Sequence, residues 1–267
     1  MTVEPRLRDY DTNLSRHFGQ YRNVKLTVVG SSPAWPNPGG AQSGYLIEGP
    51  GRLLLDCGPG VLARLRELYS SNGWPRVDAI VVSHFHLDHW GDLVPWVWGL
   101  MVGPARDEDP PELWVPPGGR EELQALGSRL GKPDMFEQTF RLREFVGDEP
   151  FTAAGLEVRA LQLPHYTLQT FGFRVTNGTR SLAYSGDSGP SERLSELARG
   201  CDLFLCEATL ERPELDGEPR GHLSADEAVA AFEASGARRL LLTHRPRELP
   251  VDGGLELAYD GLEVDLS

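Results

Sequence analysis

Ser83-His84-Phe85-His86-Leu87-Asp88-His89 places four potential metal ligands within six residues, directly after the apolar run Ala79-Ile80-Val81-Val82. Six residues are too few for a regular helix to gather His84, His86, Asp88 and His89, but a turn after a strand can do so. Residues at i and i+2 share a face while the chain is extended, so His84 and His86 can grip one ion as the strand ends. Asp88 and His89, beyond the turn, can face a second. The whole chain holds seven histidines, and three of them beside one aspartate argue against a chance cluster of surface groups.

Such a site needs further ligands, and candidates stand at the ends of other strand-like runs. His165 follows Val158 to Pro164, Asp187 follows Ser181 to Gly186, and His244 follows Leu240-Leu241-Leu242-Thr243. A buried strand would deliver each to one rim of a sheet, where loops carry chemistry. Singly, each suits a core or rim residue as well as a ligand; together they complete a set.

These residues resemble the metallo-β-lactamase-fold hydrolases, whose His-x-His-x-Asp-His signature stands here as His84, His86, Asp88 and His89. The resemblance runs from about Val24 to His244 and implies an α/β (α+β) fold, a four-layer αββα sandwich. It implies His84, His86 and His165 on one metal, Asp88, His89 and His244 on the other, and Asp187 bridging the two. Asp56 matches an earlier strand-end aspartate of the family that orients a ligand histidine from behind. A strand-terminating turn before Gly58-Pro59-Gly60 accounts for Asp56 equally well.

Asp187, in Tyr184-Ser185-Gly186-Asp187, differs from the metal-binding cysteine of many true lactamases. Cys206-Glu207-Ala208-Thr209 and Gly221-His222-Leu223-Ser224 look instead like the ribonuclease Z and cyclic nucleotide phosphodiesterase branch. There a matching glutamate and histidine form a dyad, so the resemblance implies His222, Glu207 and the motif carboxylate Asp88 as catalytic residues. The logic of the dyad stands without it. A leaving alkoxide must be protonated, an imidazolium donates well near neutral pH, and a carboxylate favours that charged form. Glu207 ends the apolar strand Asp202-Leu203-Phe204-Leu205, where an unpaired carboxylate is costly to bury. His222 is its candidate partner, unless it merely caps the helix starting near Ser224.

The departures from ribonuclease Z are informative. Cys206 replaces its usual histidine and Leu223 its usual serine. Between His165 and Asp187 the chain reads as two tight strands, Thr170 to Thr176 and Thr179 to Tyr184, joined at Asn177-Gly178, with no room for a tRNA-clamping arm. The net charge of −13 also counts against a polyanionic partner, which would need clustered lysine and arginine. The expected reaction is hydrolysis of a phosphodiester, in a cyclic nucleotide or other small nucleotide, with two divalent metal ions. Zinc is the default, and manganese or iron also fit such ligands. An RNA-processing nuclease, a thioester, lactam or lactone hydrolase, and, most remotely, a non-catalytic metal-binding module are the alternatives.

With 267 residues the chain can bury one large core, expected over residues 24–267 behind an N-terminal extension at 1–23. No apolar stretch is long enough for a membrane, and the N-terminal segment lacks a signal-peptide core. Three cysteines without disulfide or zinc-finger spacing agree with a reducing cytoplasm, Cys57 and Cys206 reading as buried thiols. A homodimer is a family-level expectation. Periodicity predicts strands at Lys25–Val29, Tyr45–Glu48, Arg52–Asp56, Glu112–Val115 and Leu156–Leu161. It predicts helices at Gly60–Tyr69, Asp92–Met101, Arg120–Leu130, Ser191–Ala198 and Ala225–Ser235. A mobile insertion with a solvated acidic run is expected at Gly103–Pro111, and a terminal strand or hairpin after His244. Of Trp90, Trp96, Trp98 and Trp114 most read as helix and strand core, with Trp90, beside His89, the one that reads as a pocket wall, as does the loop carrying Trp35.

Overall fold

The computed structural model describes residues 23–68, 74–251 and 253–266; the N-terminal extension, save Asn23, and Tyr69 lie outside them. In chain order the strands are β1 (Val24–Gly30), β2 (Gly44–Glu48), β3 (Arg52–Leu55), β4 (Ala79–Val81), β5 (Glu112–Val115), β6 (Arg141–Glu144) and β7 (Pro150–Ala153). They continue as β8 (Leu156–His165), β9 (Leu168–Thr176), β10 (Ser181–Tyr184), β11 (Leu203–Glu207), β12 (Leu240–Thr243), β13 (Glu256–Leu257) and β14 (Glu263–Leu266). The helices are α1 (Val61–Leu68), α2 (Leu93–Met101), α3 (Gly119–Arg129), α4 (Met135–Thr139), α5 (Glu192–Leu197) and α6 (Ala225–Ser235).

Two seven-stranded sheets result, ordered β14-β1-β2-β3-β4-β5-β6 and β13-β12-β11-β10-β9-β8-β7. Each is antiparallel in one half and parallel in the other: β3 to β6 run parallel in the first sheet, and β10 to β13 in the second. Strands buried on both faces read as continuous apolar runs, as in Leu53-Leu54-Leu55 and Leu240-Leu241-Leu242. Alternation then sorts the side chains. Tyr45, Ile47, Leu53 and Leu55 enter the core between the sheets with Phe173, Leu182, Tyr184 and Leu205, while Leu46 and Leu54 point outward. The outward residues meet α1, α2, α3 and α4 through Leu62, Leu65, Trp96, Val97, Leu123 and Phe136. On the opposite side, Phe204, Cys206 and Leu242 meet Leu194 and Leu197 of α5 and Ala228 of α6. The architecture is the αββα sandwich, each fully buried leucine or phenylalanine contributing about 1.5–3 kcal/mol.

Local signals set the helix ends. Ser191 accepts from Arg193 N at the start of α5, and Ser224 closes a capping box with Glu227 at the start of α6. Ser224, then, caps that helix; His222 does not. Pro95 sits in the first turn of α2, where its missing N–H is harmless. Among the described residues no helix is long and apolar enough to cross a membrane.

Periodicity leaves out α4, β6 and β7. Both strands lie at sheet edges, and β6 is Arg141-Leu142-Arg143-Glu144, charged as edge strands commonly are, so no apolar alternation marks it. The C-terminal segment is not a hairpin. β13 pairs with β12 in the second sheet and β14 with β1 in the first, so the tail crosses from one sheet to the other. The 103–111 segment is a series of turns, with Ala105 buried and its N–H donated to Gly99 O at 3.1 Å.

Candidate metal centre

The C-terminal ends of the strands converge on one rim, and the expected ligands arrive there from both sheets. His84 follows β4, and a single 3-10 turn, Leu87–His89, swings Asp88 and His89 inward. His165 ends β8, Asp187 follows β10, Glu207 ends β11 and His244 follows β12. Asp56, Tyr166 and His244 adopt left-handed φ of 58°, 49° and 53° as their strands exit, conformations uncommon outside glycine and concentrated at functional sites.

Two groups of four donor residues result, His84, His86, His165 and Asp187, and Asp88, His89, Asp187 and His244, and a third, Glu207, His222 and His244, adjoins them. Asp187 belongs to both groups of four. Its Oδ2 lies 3.9 Å from His84 Nε2 and 3.2 Å from His89 Nε2, and its Oδ1 lies 3.6 Å from His244 Nε2. Asp88 Oδ2 lies 3.3 Å from His89 Nε2 and 3.1 Å from His244 Nε2. The donor set fits metal on two observations. Buried His84 Nε2, His89 Nε2 and Asp187 Oδ1 have no hydrogen-bond partner, a costly arrangement for polar atoms unless a ligand completes them. His165 Nε2 and His86 Nδ1 face each other at 2.8 Å, which two lone pairs tolerate only around a proton or a cation.

The far side of each ring explains the orientation. Nδ1 of His84 lies 3.0 Å from Ser83 Oγ, Nδ1 of His89 2.7 Å from Asp56 Oδ2, Nδ1 of His165 2.6 Å from Gly221 O, and Nδ1 of His244 2.8 Å from Thr209 Oγ1. With Nδ1 occupied in this way, Nε2 turns to the centre, the arrangement metal-binding histidines generally show. Burial pushes His84, His86 and His165 toward the neutral form that offers a lone pair. Burial acts upward on Asp88 and Asp187, yet the surrounding histidines outweigh it and hold both well below the usual carboxylate range.

Asp56 supports the centre and is also the turn residue at the end of β3. It is fully buried and accepts from Ser83 N (2.7 Å), Ser83 Oγ (2.9 Å), His89 (2.7 Å) and the Tyr184 hydroxyl (2.7 Å). Glu207, also fully buried, accepts from Ser188 N at 2.9 Å and lies 3.0 Å from His222 Nδ1 through the same Oε1. Burial lowers His222, but the Glu207 carboxylate more than offsets this and lifts it to about 9. His222 Nδ1 is also 4.0 Å from Asp187 Oδ2, so the pair borders the ligand cluster.

A cavity of about 520 Å³ opens over these groups, lined by Ala34, Pro36, Gln42, Leu87 and Tyr166 together with His86, Asp88, Asp187 and His222. Trp90 is not among its walls: it packs on Phe85 at 5.7 Å, in the core beneath the first sheet, because the 3-10 turn rotates it away from His89. Trp35 is 55% exposed, and its neighbours Ala34 and Pro36 form the wall. Cys57 and Cys206 are buried thiols, pushed up by desolvation. Six of the seven histidines gather at the rim; His17 lies outside the described residues. Sequence reasoning assigned no role to Ser83, Tyr184, Ser188 and Thr209; the bonds of Ser83 and Tyr184 to Asp56, of Ser188 to Glu207 and of Thr209 to His244 join residues 19 to 128 positions apart and leave no local signal.

Residues 51–245 match the model of the β-lactamase superfamily domain. An uncharacterized protein of Mycobacterium tuberculosis is 36% identical, over 85% of this chain and 83% of its own. The probable metallo-hydrolase YhfI of Bacillus subtilis is 29% identical, over 84% and 87%, and ribonuclease Z of Mycobacterium bovis is 26% identical, over 83% and 85%. Among solved structures, YhfI superposes with a TM-score of 0.76 at 25% identity, covering 90% of this chain and 99% of that one. A diphosphatase of the PhnP family gives 0.72 at 20% identity, covering 90% and 97%, and human tRNase Z, short form, gives 0.70 at 22%, covering 90% and 98%. With the family model spanning most of a chain whose two sheets deliver their ligands to a common rim, the protein belongs to the β-lactamase superfamily domain family.

Proposed function

We propose that this metallo-hydrolase of the β-lactamase fold is a two-metal phosphodiesterase for small diesters, cyclic nucleotides foremost. The observation that carries the reading is the Glu207–His222 pair, 3.0 Å apart and beside the carboxylate that both donor groups share. His84, His86, His165 and Asp187 would hold one ion, and Asp88, His89, Asp187 and His244 the other. Such a pair, when bound, acidifies a water and offsets charge on the phosphate oxygens. The chain's own part is proton delivery. Glu207 takes up Nδ1 of His222, which leaves Nε2 to protonate the departing oxygen, and the carboxylate keeps the imidazole charged in the neutral range.

The cavity supports a small substrate. Ala34, Pro36, Leu87 and Tyr166 are suited to an uncharged organic group, and no lysine or arginine stands among the described residues that line it. Between His165 and Asp187 the chain makes two hairpins: β8 turns into β9 with His165 opposite Leu168, and β9 turns into β10 beyond Asn177. This favours a small diester over transfer RNA, although relatives named ribonuclease Z share the fold. Zinc suits the imidazole-rich sets, and the carboxylates admit manganese or iron.

The test is hydrolysis of 3′,5′-cyclic AMP by metal-reconstituted protein, with His86→Ala and His222→Ala assayed alongside. Turnover by the parent that is lost in both variants is the expected result. No turnover by metal-loaded parent would overturn the phosphodiesterase reading, and unchanged turnover of an ester or thioester by His222→Ala would favour non-phosphate chemistry.

A further inference from the structure

Thr209 stands between the two halves of the site. It is buried, and its Oγ1 lies 2.8 Å from His244 Nδ1, 2.8 Å from Glu207 Oε2 and 3.0 Å from His244 O. A hydroxyl has one hydrogen to give, so these contacts cannot all be donations from it. A neutral His244 that presents Nε2 to a metal carries its proton on Nδ1 and donates to Thr209 Oγ1. The threonine hydrogen is then directed to the Glu207 carboxylate, the nearer and more strongly accepting of its two remaining partners. Glu207 Oε2 also accepts from Thr209 N at 3.1 Å, while Oε1 accepts from Ser188 N and meets His222. Both oxygens of the carboxylate are thereby fixed, and Oε1 is the one left for His222.

We infer that Thr209 is a positioning residue that couples metal retention to proton delivery: its hydroxyl sets the His244 tautomer with one bond and the Glu207–His222 pair with the other. The direction is relayed through a single group, His244 Nδ1–H to Thr209 O, Thr209 O–H to Glu207, and Glu207 to His222. Without the hydroxyl, His244 Nδ1 loses its acceptor and is free to place its proton on Nε2, the ligand atom. Glu207 loses one of the donors that hold it, so His222 is no longer fixed. Valine preserves the shape and removes both effects at once, whereas serine keeps the hydroxyl.

The experiment compares parent, Thr209→Val and Thr209→Ser in two measurements. The first is zinc competition against a fluorescent chelator, which needs no substrate. The second, which rests on the phosphodiesterase reading, is the ratio of kcat for a diester with an alkoxide leaving group to kcat for bis(4-nitrophenyl) phosphate, whose leaving group needs little protonation. In Thr209→Val, zinc affinity falls roughly 10–100-fold, the range for lost partners of metal-bound histidine. The kcat ratio falls at least about 10-fold, part of the 10²–10⁴-fold that general-acid assistance supplies. Thr209→Ser recovers both. Unchanged zinc affinity in Thr209→Val, equal loss on both diesters, or a serine variant as impaired as valine would each overturn the inference. Should Thr209→Val fail to fold, Thr209→Ala removes the same hydroxyl and is read against Thr209→Ser in the same way. A parent that binds zinc but cleaves neither diester would refute the phosphodiesterase reading while the zinc measurement still decides the role of Thr209.

Discussion

Replacing Asp56 by asparagine tests whether the ligand cluster depends on the polar groups behind it. Four donors converge on the carboxylate, Ser83 N at Oδ1 and Ser83 Oγ, His89 Nδ1 and the Tyr184 hydroxyl at Oδ2. An amide offers one oxygen and one NH₂. With its oxygen in the Oδ2 position, the NH₂ meets the N–H of Ser83, donor against donor. With the amide reversed, the NH₂ meets His89 Nδ1, which can accept only by moving its proton to Nε2, the atom that faces Asp187. One buried group is left unsatisfied in either orientation, at about 1–3 kcal/mol, and the remaining bonds lose their charge assistance. A total near 3 kcal/mol corresponds to a melting temperature lower by roughly 6–12 °C for a chain of this size. Zinc affinity falls roughly 10–100-fold as well. Thermal melts with excess zinc and with chelator, together with zinc competition, measure both. A variant that melts within about 2 °C of the parent and retains zinc equally would refute the reasoning.

Removing metal leaves His84 Nε2, His89 Nε2 and Asp187 Oδ1 buried without partners, so chelation lowers the melting temperature. An ion present at about 1,000 times its Kd stabilises by about 4 kcal/mol, or roughly 8–16 °C here, and a melt unaffected by chelator would contradict that. His222 is active as the protonated acid and lifted to about 9, so turnover falls as pH rises through that region. Glu207→Gln removes the charge that raises it and moves this alkaline fall to lower pH, and a pH profile with an unmoved limb would speak against the pairing. Gly221→Ala puts a Cβ about 2.3 Å from the Tyr166 ring, and Tyr166 and His165 bind the segment that carries His222. Overpacking of this kind costs about 1–3 kcal/mol, and displacement of His222 lowers kcat, so an alanine variant with the parent's melting temperature and kcat would show that the segment tolerates movement.

The ligand turn at His84 to His89 is readable because its residues are adjacent in sequence, and the sandwich is readable because doubly buried strands leave unbroken apolar runs. His165, Asp187 and His244 are legible as strand ends, a weaker signal that gains weight only when the three are taken together. The supporting bonds are a different matter. Tyr184 reaches Asp56 across 128 residues and Thr209 reaches His244 across 35, and no spacing in the chain encodes such pairs. Trp90 shows the converse: a residue next to a ligand in sequence turns to the opposite side once a 3-10 turn intervenes. The edge strands β6 and β7 escaped notice because charge and proline, which protect an edge from wrong pairing, also erase the alternation that marks a strand.

The division of ligands between the sheets bears on assembly. His84, His86, Asp88 and His89 belong to the first sheet, and His165, Asp187 and His244 to the second. Each of the two four-residue donor groups draws on both, so an ion bound there would be a removable cross-link between two half-sandwiches. Neither half alone carries a full coordination set. A nascent chain that has reached only β6 therefore holds no assembled reactive centre, and the capacity for chemistry arises when the strands of the second sheet dock and β14 returns to close the first.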